Sequence, residues 1–195
     1  ILGVLREYQL EQNKLEQEKT NQKNISSIKN LNLAYHPMYL GDSNSAKVIY
    51  EFVDYNCGYC QKFHQELINV MNDNSLKLVI IQMPILGNFS EELTKLALAS
   101  SLQGQFKVVH NYLYSNERKS KMEDILADLF LRGVDLDILK NDLDSQEVSD
   151  FLSIHRSYAD EFKFTGTPAT IIGNQIIPGF IDADKITEIL ENEFS

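Results

Sequence analysis

Val48-Ile49-Tyr50-Glu51-Phe52-Val53-Asp54-Tyr55-Asn56-Cys57-Gly58-Tyr59-Cys60-Gln61-Lys62-Phe63-His64 runs from a dense β-branched and aromatic stretch through a pair of cysteines into a polar and apolar mixture. Residues Val48–Val53 predict a buried strand. Asp54-Tyr55-Asn56 breaks it, and Phe63, Leu67, Val70 and Met71 then recur at helical spacing, so a helix begins at the cysteines. Cys57 is thereby expected at the junction of a strand and a helix N-terminus, where unsatisfied N–H groups and the helix dipole favour a thiolate. Cys60 lies one turn later, less exposed and within reach for ring closure. That placement suits disulfide exchange, with Cys57 attacking and Cys60 resolving. The chain has only these two cysteines, whereas a structural disulfide framework uses more of them, spread more widely. The competing reading of the pair is half of a zinc or copper site. Tetrahedral zinc takes about four ligands. No second CxxC exists, and beyond His64, at i+4 from Cys60, no fourth ligand is evident. No cofactor and no metal is therefore expected.

Alternation along the strand puts Ile49, Glu51 and Val53 on one face and Val48, Tyr50 and Phe52 on the other. Both faces are apolar, so Glu51 is expected to be a buried acid, which is costly without a role or a partner. Near a buried thiol it would hold its proton more tightly than usual and exchange protons with Cys60. The alternative is an edge strand whose carboxylate reaches solvent.

Outward from this segment, residues 76–83 predict a second strand, closed by Pro84 and Gly87. Residues 90–158 turn helical: Leu93, Leu96, Ala97 and Ser100 form one face and Phe106, Val109, Tyr112 and Leu113 another. Ile125, Leu126, Leu129 and Phe130 continue the pattern, then Leu136, Leu139 and Leu143, with Gly104 and Gly133 as punctuation. Two short strands come next, 169–172 and 175–177, joined by Gly173-Asn174 as a tight hairpin turn. A last helix starts near Asp182, a good N-cap. Strand, helix, strand, helical block, hairpin and helix together predict an α/β class, a thioredoxin fold with an all-helical insertion at about residues 89–158.

Residues 1–33 differ, being rich in Gln, Asn, Glu and Lys and free of Pro. Ile1, Leu5, Tyr8, Gln12 and Leu15 form a heptad seam with one polar member, and Ile25, Ile28 and Leu31 come after a polar stretch. So narrow a stripe must pack on another copy of itself or on its own domain. Pro37 and Gly41-Asp42-Ser43-Asn44-Ser45 mark a boundary near residue 40. The chain is thereby divided into residues 1–40, a helical oligomerisation segment and linker, and residues 41–195, the catalytic domain.

The net charge of −10 argues against a nucleic acid, because phosphate binding needs clustered Lys and Arg. Acidic residues between Glu123 and Glu161 read either as solvated helix faces or as an acidic docking surface. No apolar run is long enough to span a membrane. The opening Ile1-Leu2-Gly3-Val4, with Arg6, Glu7 and Glu11 close behind, is not a signal peptide, and a mature exported chain would open in the same way. His36, His110 and His155 read as surface or capping residues, while His64 faces roughly as the cysteines do and is a candidate to tune them.

The stretch from Glu51 to His64 closely resembles the DsbA-like bacterial disulfide oxidoreductases. Met83-Pro84-Ile85-Leu86-Gly87 resembles that family's segment after its second core strand, and Thr165-Gly166-Thr167-Pro168-Ala169-Thr170 its cis-proline loop. The resemblance implies that Cys57 is the nucleophile, Cys60 the resolving thiol and Glu51 the family's buried acid. It also implies that Pro168 is cis against the cysteines, with Thr167 shaping substrate contact through backbone groups left free for an extended strand. The active-site dipeptide is Gly58-Tyr59. The strongly oxidising members carry a His there, and Tyr59 supplies no such charge, so the reduced form is less favoured here. Gly58-Tyr59 and Thr167 resemble instead the disulfide isomerases and the oligomeric, copper-tolerance-associated ScsC-like branch, whose N-terminal extension joins subunits. This resemblance implies a periplasmic homo-oligomer, trimer favoured over dimer, acting on misfolded or reduced exported proteins and served by a membrane redox partner. A DsbA-type dithiol oxidase, or a copper-binding or chaperone module using the same cysteines, are the alternatives.

Overall fold

The computed structural model describes residues 2–31, 38–73 and 75–195. Ile1 of the seam and His36 and Pro37 of the linker lie outside the described residues. The chain forms two compact units, Ile1–Leu31 and Asn32–Ser195.

In the first unit, α1 (Leu2–Lys29) is one uninterrupted helix. The polar stretch that separates the two apolar series does not break it, because its side chains bond along the helix: Gln17 Nε2 donates to Asn21 Oδ1 at 2.9 Å and Thr20 Oγ1 to the Glu16 carbonyl at 2.9 Å. Leu5, Tyr8 and Leu15 of the seam are exposed, as are Val4 and Leu10.

The second unit is built on a five-stranded mixed sheet, ordered β1-β3-β2-β4-β5. Its strands are β1 (Tyr39–Gly41), β2 (Val48–Val53), β3 (Lys77–Gln82), β4 (Ala169–Ile172) and β5 (Gln175–Pro178). β2 runs parallel to β3 and antiparallel to β4, so it is central, and both of its faces are covered. One face carries Ile49 and Val53 into the main core with Phe63, Leu67 and Ile80. On the other, Phe52 meets Phe164 edge-on at 4.7 Å, and Phe164 stacks on Phe162 at 5.5 Å. β1 lies across the boundary expected at residue 40 and pairs antiparallel with β3. It ends at Gly41, whose φ of +82° and closeness to the Leu76 carbonyl leave no room for a side chain.

Helix α2 (Gly58–Asp73) comes after β2 and packs against α8 (Ala183–Phe194). Between β3 and β4 lie α3 (Asn88–Leu102), α4 (Phe106–Tyr114), α5 (Met122–Leu131), α6 (Leu136–Asp142) and α7 (Gln146–Glu161). Their inward faces are the expected ones: Leu93, Leu96, Val109, Tyr112, Ile125, Leu129 and Leu139 are all buried. Phe130 is the exception at 63% exposed, since it lies at the end of α5 on the side away from Ile125 and Leu129. The hairpin turn forms at Gly173 (φ +60°), and Asp182 caps α8 by accepting from the Lys185 N–H at 2.9 Å. This is a thioredoxin fold with a helical insertion, preceded by a helical N-terminal extension. No helix among the described residues is long and apolar enough to cross a membrane.

Candidate active site

The site lies where β2 ends and α2 begins. Asp54 is fully buried, and its carboxylate gathers three backbone donors: Asn56 N–H at 2.8 Å on one oxygen, Ile85 N–H at 2.8 Å and Leu86 N–H at 3.0 Å on the other. It therefore ties the junction before Cys57 to the loop after β3. Its backbone carbonyl also accepts from the Cys57 N–H at 3.0 Å. The sequence marks Asp54 only as a strand breaker. Its reach to residues 85 and 86 depends on the parallel pairing of β2 with β3, which puts Val53 opposite Gln82.

Cys57 is half-buried and Cys60 fully buried. The Cys60 N–H, in the first turn of α2, donates to Cys57 Sγ at 3.4 Å. Across the site the Cys57 thiol donates to the Thr167 carbonyl, also at 3.4 Å. The Thr167–Pro168 peptide is cis, and the Pro168 carbonyl accepts from Gly179 N–H at 2.8 Å, joining this loop to the end of β5. So Cys57, Cys60, Thr167 and Pro168 meet in one place, from positions about 110 residues apart in sequence. Burial pushes the Cys60 thiol well up, which keeps it protonated until it reacts. Gly58 opens α2, and Tyr59 is 65% exposed with Lys62 Nζ 5.6 Å from its ring centre.

Glu51 is fully buried on the central strand, which removes the edge-strand alternative. Its carboxyl faces His64 of α2, with Oε2 3.6 Å from His64 Nδ1. Burial raises its pKa above the usual carboxylate range, and His64 opposes that rise. Such a group lowers stability as it ionises. The folded chain holds the proton more tightly than the unfolded one, so stability falls as pH climbs from the ordinary value through the raised one. Glu51→Gln is expected to remove that fall and to leave the protein more stable at neutral pH. Urea midpoints followed upward from pH 4.5, the ordinary carboxyl value, test this, and a variant that loses stability with pH as steeply as wild type would refute it.

Two residues expected to be surface or capping residues are buried inside the fold instead. His110 and His155 are both fully buried. His110 Nδ1 pairs with the Tyr55 hydroxyl at 2.8 Å, and His155 Nδ1 accepts from the Gln82 N–H at 2.9 Å. Gln82 Nε2 donates to the same Tyr55 hydroxyl at 3.1 Å, and Thr94 Oγ1 donates to Gln82 Oε1 at 3.3 Å. A polar chain thus links the β2–α2 junction to α3, α4 and α7. Helical periodicity alone gives no sign of it, because each histidine's partner lies on another element.

Known proteins align with this chain along most of its length. The thioredoxin family model matches residues 34–192. A Bacillus cereus protein named probable disulfide bond formation protein D is 23% identical over 169 residues, 79% of this chain and 77% of the relative. Among solved structures, a thioredoxin-like oxidoreductase from Silicibacter pomeroyi is 26% identical with a TM-score of 0.74, covering 79% of this chain and 90% of its own. The thiol-disulfide exchange protein α-DsbA2 from Wolbachia pipientis superposes with a TM-score of 0.79 at 24% identity, covering 91% and 97%. With a CxxC pair set against a cis-proline loop on this sheet, the chain belongs to the thioredoxin family as a DsbA-like thiol–disulfide oxidoreductase.

Proposed function

We propose that the protein reshuffles or reduces disulfides in misfolded exported proteins as a periplasmic homo-oligomer. Cys57 attacks and Cys60 resolves. The carrying observation is the asymmetry of the pair, with Cys57 half-exposed beside the Thr167 carbonyl and Cys60 buried behind it. In the first step the Cys57 thiolate attacks a substrate disulfide, forming a mixed disulfide and releasing one substrate thiolate. Cys60 then gives its proton to Glu51 and attacks Cys57 Sγ, releasing the second substrate sulfur. Thr167 and Pro168 hold the substrate strand alongside Cys57.

The isomerase preference rests on Gly58-Tyr59, which places no cation between the cysteines, and on the exposed Leu5, Tyr8 and Leu15 of α1, which suit joining copies, most simply as a trimer. Refolding of scrambled ribonuclease is expected to fall sharply when residues 1–31, the first compact unit, are removed and β1 is kept, together with a drop to monomer mass in light scattering. Full isomerase activity from a truncated monomer would defeat the oligomer reading. A second reading, dithiol oxidase recharged by a membrane partner, draws on the curated relative's name. It predicts a reduction potential near about −120 mV, against about −180 mV or lower for the isomerase.

A further inference from the structure

Glu51 sits in an enclosed box, fully buried. Neither of its oxygens has a hydrogen-bond partner, and the Thr170 hydroxyl on β4, opposite Glu51 in register, has none either. Among the described residues, the cation-capable group in contact with that carboxyl is His64, with Nδ1 3.6 Å from Oε2 and the two side chains 7% and 0% exposed. That separation is long for a hydrogen bond and suits an ion pair. Two rings pack against His64. Tyr114 of α4 stacks on the His64 imidazole at 4.9 Å, and His110 meets it edge-on at 4.7 Å. The titratable groups that face one or other of the pair are Tyr55, His110 and Tyr114, with Cys60 next to Tyr114. Burial pushes the two phenols and the thiol up and His110 well down, so all four are uncharged near neutral pH. Charge in the box is left to Glu51 and His64.

We propose that His64 is a positioning residue that keeps Glu51 ionised, and so able to take the proton of Cys60. This rests on the reading of Glu51 as that acceptor. A lone carboxylate in such surroundings takes up a proton rather than stay charged, and is then useless as an acceptor. An imidazolium beside it restores the carboxylate. In the resolving step the Cys60 S–H proton moves to Glu51, and the Cys60 sulfur attacks Cys57 Sγ. The Cys57–Cys60 bond forms, the Cys57–substrate bond breaks, and the substrate sulfur departs with the electron pair as a thiolate. The transferred proton stays with the Glu51–His64 pair.

The test times that step directly in the full chain. Cys57 is loaded with thionitrobenzoate, and its release by Cys60 is timed from about pH 5 to about pH 9 in wild type, His64→Gln, Glu51→Gln and the double variant. His64→Gln is expected to slow release about tenfold near neutral pH, to move the acidic limb of the profile to higher pH, and to recover at the alkaline end. With Glu51 already replaced, His64→Gln should change nothing further. A limb that stays at the wild-type pH, or a shift that persists without Glu51, overturns the inference. Release that is indifferent to Glu51→Gln overturns instead the reading of Glu51 on which it rests. Should His64→Gln fail to fold, ¹⁵N NMR of the wild-type ring decides. Protons on both His64 nitrogens at the pH where Glu51 is ionised are expected, and a ring neutral there overturns the proposal.

Discussion

Cys57→Ser is expected to abolish disulfide exchange, leaving only the background reaction of substrate with free thiols. Cys60 cannot take over, because it is fully buried and burial pushes its thiol well up, so it is neither reachable nor ionised. The reciprocal change has a different signature. In Cys60→Ser, Cys57 remains half-exposed beside the Thr167 carbonyl and still attacks, but nothing resolves the product. That variant should accumulate a mixed disulfide with a substrate peptide, visible as a mass increase that reductant reverses. Measurable exchange by Cys57→Ser, or a mixed disulfide formed through Cys60, would reverse the assignment of roles.

Much of this arrangement is legible in the sequence, because its signals are local. A strand of β-branched residues, a break and a helix opening on two cysteines occupy one continuous segment, and the observed β2 and α2 lie where that segment places them. The hairpin turn at Gly173 and the cap at Asp182 are likewise local chemistry. The features that escape a sequence reading depend on distant pairing. β1 has three residues and one neighbouring strand, too short for any periodicity to register. His110 and His155 look like surface residues until α4 and α7 fold against Tyr55 and Gln82, from 55 and 73 positions away. Glu51 is the informative middle case. Its burial comes from the apolar alternation of its own strand, whereas its pairing with His64 needs α2 laid across that strand.

Asp54 is the clearest residue of the distant-pairing kind, and Asp54→Ala should be the most damaging single change outside the cysteines. Its carboxylate satisfies the N–H groups of Asn56, Ile85 and Leu86 inside the protein, at a fully buried position. Hydrogen bonds to a charged acceptor contribute about 1.5–3 kcal/mol each, more than neutral ones, and the freed donors, on the exposed residues Asn56, Ile85 and Leu86, regain part of that from water. Losing three together should destabilise the fold by about 3–5 kcal/mol. Asp54→Asn should not rescue it, because one carboxylate oxygen becomes an NH₂ group turned toward backbone donors. The damage should also reach the chemistry. Asn56 directly precedes Cys57, while Ile85 and Leu86 belong to the facing loop, so one carboxylate holds both banks of the site. Urea unfolding monitored by circular dichroism gives the stability change, and alkylation of Cys57 in the folded variant gives the effect on the thiol. A loss below about 1 kcal/mol with unchanged Cys57 reactivity would show that these donors find other partners, and that the junction does not depend on Asp54.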